Sequence, residues 1–308
     1  MRNVHYKFWC QFIWIGSVII FTFYFIFSQK TLIFNQMQSL NWPTVPLALL
    51  FILFAKFGLV ENMRLSIAKS NLQLTFKDCY SIYNNTQLAK YIPGYIWHFL
   101  GRIAILRSRG ANIKTIRDSM VAEYIWIVCS ALLVGIICIA SNDGNSIILT
   151  NIKQHLKSIP GILQILLLVG IVAISAGLLF FFVNNLKLLC LWTWTLRPGF
   201  RAISVMILVW ICLGSSLWLT VGGISQFNTL WVYCIGVYSL SYAVGFIVPI
   251  SPAGIGIREG ILIFYLSPTI GIDNAIFVAG LNRLLYIIAE LLLVASCVIL
   301  RYLPTSSK

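Results

Sequence analysis

The chain has 308 residues, of which 59% are hydrophobic and only 10% are charged. Soluble globular domains carry about a quarter charged residues, so this composition excludes an ordinary soluble protein. The net charge is +14, but its basic residues cluster at 2–7, 64–77, 102–117, 187–201 and 301–308. Basic loops stay on the cytoplasmic side of a membrane, which accounts for the charge without a nucleic-acid partner and predicts cytoplasmic N- and C-termini.

Apolar runs recur along the whole chain and predict an all-α, polytopic membrane helix bundle formed by one integral domain over residues 1–308. The first run is long and aromatic and lacks a small-residue cleavage site, which favours a retained helix over a signal peptide. Asn112 and Asp273 are candidate N-caps of two later helices. Six full spans are predicted, at 9–28, 44–60, 115–140, 161–183, 203–221 and 274–300.

Two further segments, 79–109 and 231–267, do not fit simple crossings. The distribution of basic residues puts both ends of the first segment in the cytoplasm and both ends of the second outside. Each segment is interrupted near its middle by helix-breaking residues, namely Pro93 and Gly94 in the first and Pro249, Pro252, Gly254 and Gly256 in the second. Re-entrant hairpins are the favoured interpretation. The alternative is that 81–100 and 231–248 cross the membrane and the breaks are surface loops.

The two broken segments also form a weak internal repeat. Pro93 lies nine residues before Arg102, and Pro249 lies nine residues before Arg258. Each half, approximately 1–140 and 161–300, has two helices, a broken segment and a helix, but the two halves enter the membrane from opposite sides. Inverted repeats with discontinuous helices that meet near the midplane are a recurring transporter design.

Two motifs carry a resemblance to a known family. AKYIPGYIWHFLGR at 89–102, with RSRG and Glu123 after it, and VPISPAGIGIREG at 248–260 resemble the transmembrane region of lysylphosphatidylglycerol synthases, a flippase-like domain. The resemblance covers about residues 10–300. It implies a multi-pass protein of the bacterial cytoplasmic membrane that translocates lipid. No synthase domain follows before Lys308, so the chain is expected to correspond to the translocating part alone.

The Arg258–Glu259 pair beside the second break is the first candidate site. An arginine fork matches a lipid phosphate, and Glu259 would pair with Arg258 or with a cationic headgroup. The alternative is that the pair only caps a helix at the membrane surface. Charge inside a membrane is costly, which favours the functional interpretation if the break lies at depth.

Four other ionisable residues lie in apolar helices. Arg283 and Glu290 are seven residues apart and share one helix face, within reach of Arg258. Arg102, at the predicted cytoplasmic mouth, and Glu123 are the first half's equivalents. These residues either line a polar pathway or pair with one another to hold the bundle together, and both roles can coexist.

No catalytic pattern is found beside these candidates. The sequence has no Ser-His-Asp spacing, P-loop or GxGxxG run, and its eight cysteines are scattered without metal-ligand spacing. We therefore expect no enzyme activity, cofactor or metal site. The small-residue pairs Ala131/Gly135 and Ser241/Gly245 predict close helix packing.

Two functions follow from these observations. The first is translocation or binding of a polar-headed lipid, either an aminoacyl phospholipid or a polyprenyl-linked saccharide, in envelope lipid or polysaccharide biosynthesis. Its partners would be lipids with an anionic or saccharide-bearing headgroup. The second is a non-transporting accessory protein that scaffolds an envelope polysaccharide or lipid-modifying enzyme.

Overall fold

The computed structural model describes residues 40–68, 74–91, 96–141, 196–222, 231–248 and 252–302, together with residues 34, 36–38 and 72. Within these ranges every regular element is helical, and four helices are long and apolar enough to cross a bilayer. The all-α membrane prediction is confirmed at this level. The predicted spans 9–28 and 161–183 lie outside the described residues.

The first half contains two long helices with two short ones between them. A capping box formed by Thr75 and Asp78 begins the first short helix, and Asn112 caps the second long helix as predicted. The first long helix continues past the predicted end at residue 60 to Ile67, and Glu61 and Arg64 pair along this extension at 2.7 Å. The helices are α1 (Thr44–Ile67), α2 (Phe76–Gln87), α3 (Trp97–Ser108) and α4 (Ile113–Ala140), and a 3₁₀ turn, Leu88–Tyr91, extends α2.

The second half repeats this order. A 3₁₀ turn, Pro252–Gly254, lies between its two short helices. Its last helix begins at Ile272, directly after Gly271 at a φ of +83°, so Asp273 lies in the first turn and the N-cap prediction for it is wrong. The helices are α5 (Leu196–Gly222), α6 (Trp231–Ile247), α7 (Ile257–Ile270) and α8 (Ile272–Tyr302).

The backbone around the second break needs glycine. Gly254 and Gly256 have φ values of +71° and +87°, a region that side chains with a Cβ disfavour, and Ala253 at +52° is a rare exception. α6 therefore ends before this turn and α7 begins after it, as the helix-breaking residues predict. Pro252 begins the 3₁₀ turn, whereas Pro93, Gly94 and Pro249 lie outside the described residues.

The long helices of the two halves pack antiparallel. Glu61 near the end of α1 pairs with Arg201 near the start of α5 at 2.8 Å, while Gly58 faces Val209 about two turns further along α5. A Cβ on Gly135 of α4 would lie 2.6 Å from Leu240 of α6, which confirms close packing at the predicted Ala131/Gly135 pair.

The packing of one half has a counterpart in the other. Helix α2 packs on α8 as α6 packs on α4, and each half packs its two short helices against each other. The helices α1 and α5 pack on one another, and the 3₁₀ turn at Leu88–Tyr91 contacts the one at Pro252–Gly254. The two halves are therefore related by a pseudo-twofold pattern of helix contacts, and the two 3₁₀ turns meet where the halves join.

In the first half, α2 begins and α3 ends at the same end of the bundle. Asp78 at the start of α2 pairs with Arg109 just after α3 at 2.7 Å. Hydrogen bonds from Thr75 and then Arg109 hold the pKa of the Asp78 carboxyl below its usual value. Because α1 ends here and α4 and α5 begin here, this end, which we call the basic end, also carries Arg64, Lys77, Arg107, Lys114, Arg117 and Arg201.

Gly214 fixes the distance between α5 and α6 and provides a test of this packing. A Cβ on Gly214 would lie 2.3 Å from the backbone Cα of Ile235, whereas a Cβ on Gly280 in α8 meets nothing within 4 Å. We expect Gly214→Ala to lower the free energy of unfolding by about 1–3 kcal/mol, because the two backbones must move apart. Gly280→Ala should be neutral or slightly stabilising. Thermal unfolding in detergent measures both, and equal midpoints would contradict the predicted α5–α6 contact.

Candidate functional site

Charged side chains lie inside the bundle, close to where the two 3₁₀ turns meet. Lys56, Arg102, Glu123, Arg258 and Glu290 are all buried, although each stands in or beside an apolar helix. Lys90, Glu259 and Arg283 are partly buried next to them. We call these eight residues the central cluster. Burial of so many charges in an apolar body requires partners, and the partners differ from one residue to the next.

Arg258 has room in the cluster because two glycines face its stem. It is the second residue of α7 and points between α6 and α8. A Cβ on Gly245 of α6 would lie 2.4 Å from the Arg258 Cγ, and one on Gly254 would lie 3.1 Å from its Cδ. The predicted small residue Gly245 thus accommodates an arginine side chain and not only a neighbouring helix. A side chain at either position would displace the guanidinium.

Tyrosine rings surround the Arg258 guanidinium. Its Cζ lies 5.2 Å from the ring centre of Tyr238, 4.7 Å from that of Tyr242 and 5.0 Å from that of Tyr286. One terminal nitrogen donates to the Tyr238 hydroxyl at 2.8 Å, while Nε is buried without a hydrogen-bond partner. No carboxylate of the described residues forms an ion pair with it. Cation–π attraction offsets only part of the cost of burying this charge.

Glu259 is used at the start of α7 and does not point to Arg258. Its carboxylate accepts a hydrogen bond from the Gly256 N–H at 2.6 Å and lies 3.5 Å from the Arg283 Nε. Arg283 also donates to the Ala253 carbonyl at 3.3 Å and lies over the Tyr91 ring at 5.7 Å. Arg283 therefore joins the turns of both halves. Glu259 caps the start of α7, as the alternative interpretation predicted, but it does so partly buried beside Arg283.

Glu290 accepts from three donors. Lys56 and Lys90 both donate to its Oε1, and the Tyr91 hydroxyl donates to its Oε2 at 2.8 Å. Two ammonium groups thus share one carboxylate, and Glu290 pairs with neither Arg283 nor the Arg102–Glu123 pair. The predicted proximity to Arg258 is indirect, through Tyr286, which stands on α8 between Arg283 and Glu290.

Arg102 and Glu123 form a closed pair. One Arg102 nitrogen donates to both Glu123 oxygens, at 2.9 and 2.8 Å, and the two side chains are 0% and 2% exposed. The Arg102 guanidinium also lies 5.0 Å from the Tyr83 ring centre. α3 places Arg102 inside the bundle, more than a turn from the basic end, and its predicted role at a cytoplasmic mouth stays a prediction. This pair links α3 to α4.

A cavity of about 50 Å³ lies between the two halves beside the Arg258 guanidinium. Gln87, Lys90 and His98 line it from the first half, and Tyr242, Arg258 and Tyr286 line it from the second. Of the six site residues predicted from the sequence, only Arg258 lines this cavity. A cavity of this size and polarity has room for about one or two water molecules, or for one small anionic group.

The cluster has more positive than negative groups. It holds five cations and only three carboxylates, an excess of two positive charges when every group is ionised. Like charges in a poorly solvated interior repel strongly, so this arrangement favours the arrival of an anion. Among the described residues, no three His, Cys, Asp or Glu side chains lie close enough to hold a metal ion.

Sequence reasoning missed several residues of the cluster. Lys56 stands in the middle of the predicted span 44–60, and that position alone was a signal that it needs a buried partner. Lys90 lies inside the predicted hairpin 79–109, three residues before Pro93, so its charge close to the break was also a signal. Tyr238 and Tyr242 are one helical turn apart, but tyrosines at that spacing also occur in ordinary packing, so no local signal identified them.

Comparison of the sequence with known protein families and with curated proteins finds no match. The resemblance to the transmembrane region of lysylphosphatidylglycerol synthases therefore stays a prediction. A function has to be inferred from the chemistry of the central cluster.

The Arg102–Glu123 pair can be tested for a structural role. Arg102→Met leaves the Glu123 carboxylate buried without its cation, and we expect it to lower the free energy of unfolding by about 3 kcal/mol. The double variant Arg102→Met/Glu123→Leu removes both charges and should recover most of that loss. Thermal unfolding of the purified variants in detergent measures this. A double variant as unstable as the single one would rule out the pair as the cause.

Proposed function

We propose that this protein binds the phosphate-bearing headgroup of a lipid at Arg258 and moves that lipid between the two leaflets of a membrane. The observation that carries the proposal is a buried guanidinium that lines an interior cavity and pairs with no carboxylate of the described residues. A guanidinium fork fits phosphate oxygens better than any other side chain does. Aminoacyl phospholipids and polyprenyl-linked saccharides both carry such a phosphate.

We further propose that α2–α3 and α6–α7 are re-entrant hairpins, which with six full spans form an inverted repeat. Helices of 12 residues, such as α2 and α3, extend about 18 Å, too little for a hydrocarbon layer about 30 Å thick. The Asp78–Arg109 ion pair supports a shared end for α2 and α3, and α7 ends beside the start of α8. The antiparallel packing of α1 on α5 and the contact between the two turns support opposite orientations of the halves.

The orientation follows from the basic end. Its Lys and Arg residues favour the cytoplasmic side, so this end would face the cytoplasm and the termini would lie inside. The bacterial cytoplasmic membrane is what the resemblance to the lysylphosphatidylglycerol synthase region implies. In that orientation the central cluster lies near the midplane, because the two pairs of short helices approach it from opposite sides. Non-helical backbone such as the Pro252–Gly254 turn is tolerated at that depth only inside protein or beside a polar cavity.

For translocation, the headgroup would first exchange water for the cluster. A charged headgroup does not cross about 30 Å of hydrocarbon unaided, while its acyl chains can stay in the lipid. The phosphate would bind Arg258 in place of water, and the excess positive charge would stabilise it. The cavity is too small for a complete headgroup, so passage would need the two halves to separate at the turns, as in rocking of two repeats about a fixed site.

The transport role of Arg258 can be tested in liposomes. We expect the purified protein to speed the exchange of a fluorescent phosphatidylglycerol between leaflets, measured by dithionite quenching. Arg258→Gln should slow this exchange at least about tenfold, and Arg258→Lys should be intermediate, because it keeps the charge but loses the fork. The matched control is Arg117→Gln at the basic end, where the arginine is 68% exposed and pairs with Asp118.

A folded Arg258→Gln protein that exchanges lipid at the wild-type rate would refute the proposal. Wild-type protein that moves no lipid would also refute translocation. In that case, loss of activity of a co-purifying envelope enzyme on removal of this protein would support the accessory role.

Single-cysteine labelling tests the membrane arrangement. In a background without the eight native cysteines, we expect Lys77→Cys and Lys114→Cys to react with a membrane-impermeant maleimide from the cytoplasmic side. Gly222→Cys and Asp273→Cys should both react from the outside. If α2–α3 or α6–α7 crosses the membrane as a single span, the two members of the corresponding pair will label from opposite sides.

A further inference from the structure

Three described side chains donate to Glu290, namely Lys56, Lys90 and Tyr91, and of these Lys90 alone also lines the cavity. Lys56 and Lys90 donate to the same Glu290 oxygen, but the Lys56 side chain is 1% exposed and does not line the cavity, whereas the Lys90 side chain is 12% exposed and does. Lys90 stands on the 3₁₀ turn Leu88–Tyr91, which contacts the corresponding turn of the other half. Its ammonium group is thus placed between an internal carboxylate and the candidate anion site.

Lys90 and Arg258 are neighbours across one ring. The Lys90 Nζ lies 5.1 Å from the centre of the Tyr286 ring, and the Arg258 Cζ lies 5.0 Å from the same centre. An anion in the cavity would therefore meet both cations. A lysine ammonium is a compact charge on a flexible stem, with three donors that reorient easily, so Lys90 can change partner with a small movement.

We propose that Lys90 is an exchangeable ligand, bound to Glu290 when the site is empty and to the anionic group of the ligand when the site is occupied. Glu290 is then an internal counter-anion that competes with the ligand for Lys90. Lys56 and Tyr91 stay on Glu290 throughout and prevent a buried carboxylate without partners. This inference rests on the proposed anion site at Arg258.

The competition has a use in transport. Two fixed cations without a competing carboxylate would hold a phosphate tightly, and a carrier must also release what it binds. Glu290 offers Lys90 an alternative partner at the moment of release and so lowers the affinity. Loss of the acidic residue Glu290 should therefore strengthen the binding of an anion.

A double-mutant cycle on Glu290 and Lys90 tests the exchange. The measured quantity is the Kd of the purified full chain in detergent for dioctanoyl phosphatidylglycerol. Glu290→Gln should lower Kd about tenfold, since Lys90 loses the charged internal partner that competes with the ligand for its ammonium group. Lys90→Met should raise Kd about tenfold or more. The double variant Glu290→Gln/Lys90→Met should match Lys90→Met alone, because no ammonium group remains to be released.

Lys56→Met is the matched control. It removes the same charge from the same Glu290 oxygen but leaves the cavity lining intact, so it should raise Kd clearly less than Lys90→Met does. If Glu290→Gln does not fold, the difference in Kd between Lys56→Met and Lys90→Met still tests the exchange. Equal effects of the two lysine variants would overturn the inference.

Other outcomes separate this inference from the proposed function. If Glu290→Gln leaves Kd unchanged or raises it while Arg258→Gln weakens binding, the anion site stands and the exchange is wrong. If Glu290→Gln lowers Kd even when Lys90 is already replaced by Met, the tighter binding comes from long-range electrostatics and not from Lys90. That result would also overturn the exchange. If Arg258→Gln leaves Kd unchanged, the proposed anion site fails as well.

Inorganic phosphate serves as a second probe, because a free phosphate offers the same chemistry as a lipid headgroup. Tighter binding of the phospholipid than of phosphate supports a lipid ligand. Equal Kd values for the two would overturn the assignment to a lipid.

Discussion

The Arg258 guanidinium is buried inside an apolar bundle, and the helices around the second break are shaped to accommodate it. Three tyrosine rings and one hydroxyl receive it, and no described carboxylate neutralises it. Two neighbouring glycines, Gly245 and Gly254, make room for its stem, and Gly254 has a backbone conformation that side chains disfavour. The α6 helix ends and α7 begins around this residue, so the break in the second half and the position of the charge are one feature.

The charges around Arg258 divide into closed and open groups. Arg102 and Glu123 neutralise each other and are sealed from the cavity, which is what a structural link between α3 and α4 needs. Glu290 carries two ammonium groups, one sealed and one at the cavity, and Arg283 shares Glu259 with a helix cap. The uncompensated charge is thus concentrated where both halves meet. A fold selected only for stability would have paired or removed it, so its presence favours a ligand that completes the site.

The two halves contribute different chemistry to one place. The first half supplies Lys90 and the Arg102–Glu123 link, and the second supplies the tyrosine-lined guanidinium and the Glu290 carboxylate. Each half alone would leave a charge without a partner, because Lys56 and Lys90 need Glu290 from α8. The cluster therefore holds the halves together, and a movement that separates them must also change the partners of these charges. Through this coupling, the proposed ligand at the cavity would influence the packing of the halves.

Composition and hydropathy determined the class of this protein, because an apolar chain with clustered basic loops has no soluble alternative. Sequence pattern also predicted the four described long helices, the interruption between α6 and α7, and the charge beside that interruption at Arg258, since Pro, Gly and charge in an apolar run are local signals. It did not identify Lys56, Lys90 or the tyrosines. Which charges pair could not be read from the sequence, because Glu290 contacts lysines that are 234 and 200 positions away along the chain. Apolar helices of similar periodicity carry no information about which neighbour they will pack against, and the pairing of buried charges is fixed by that choice.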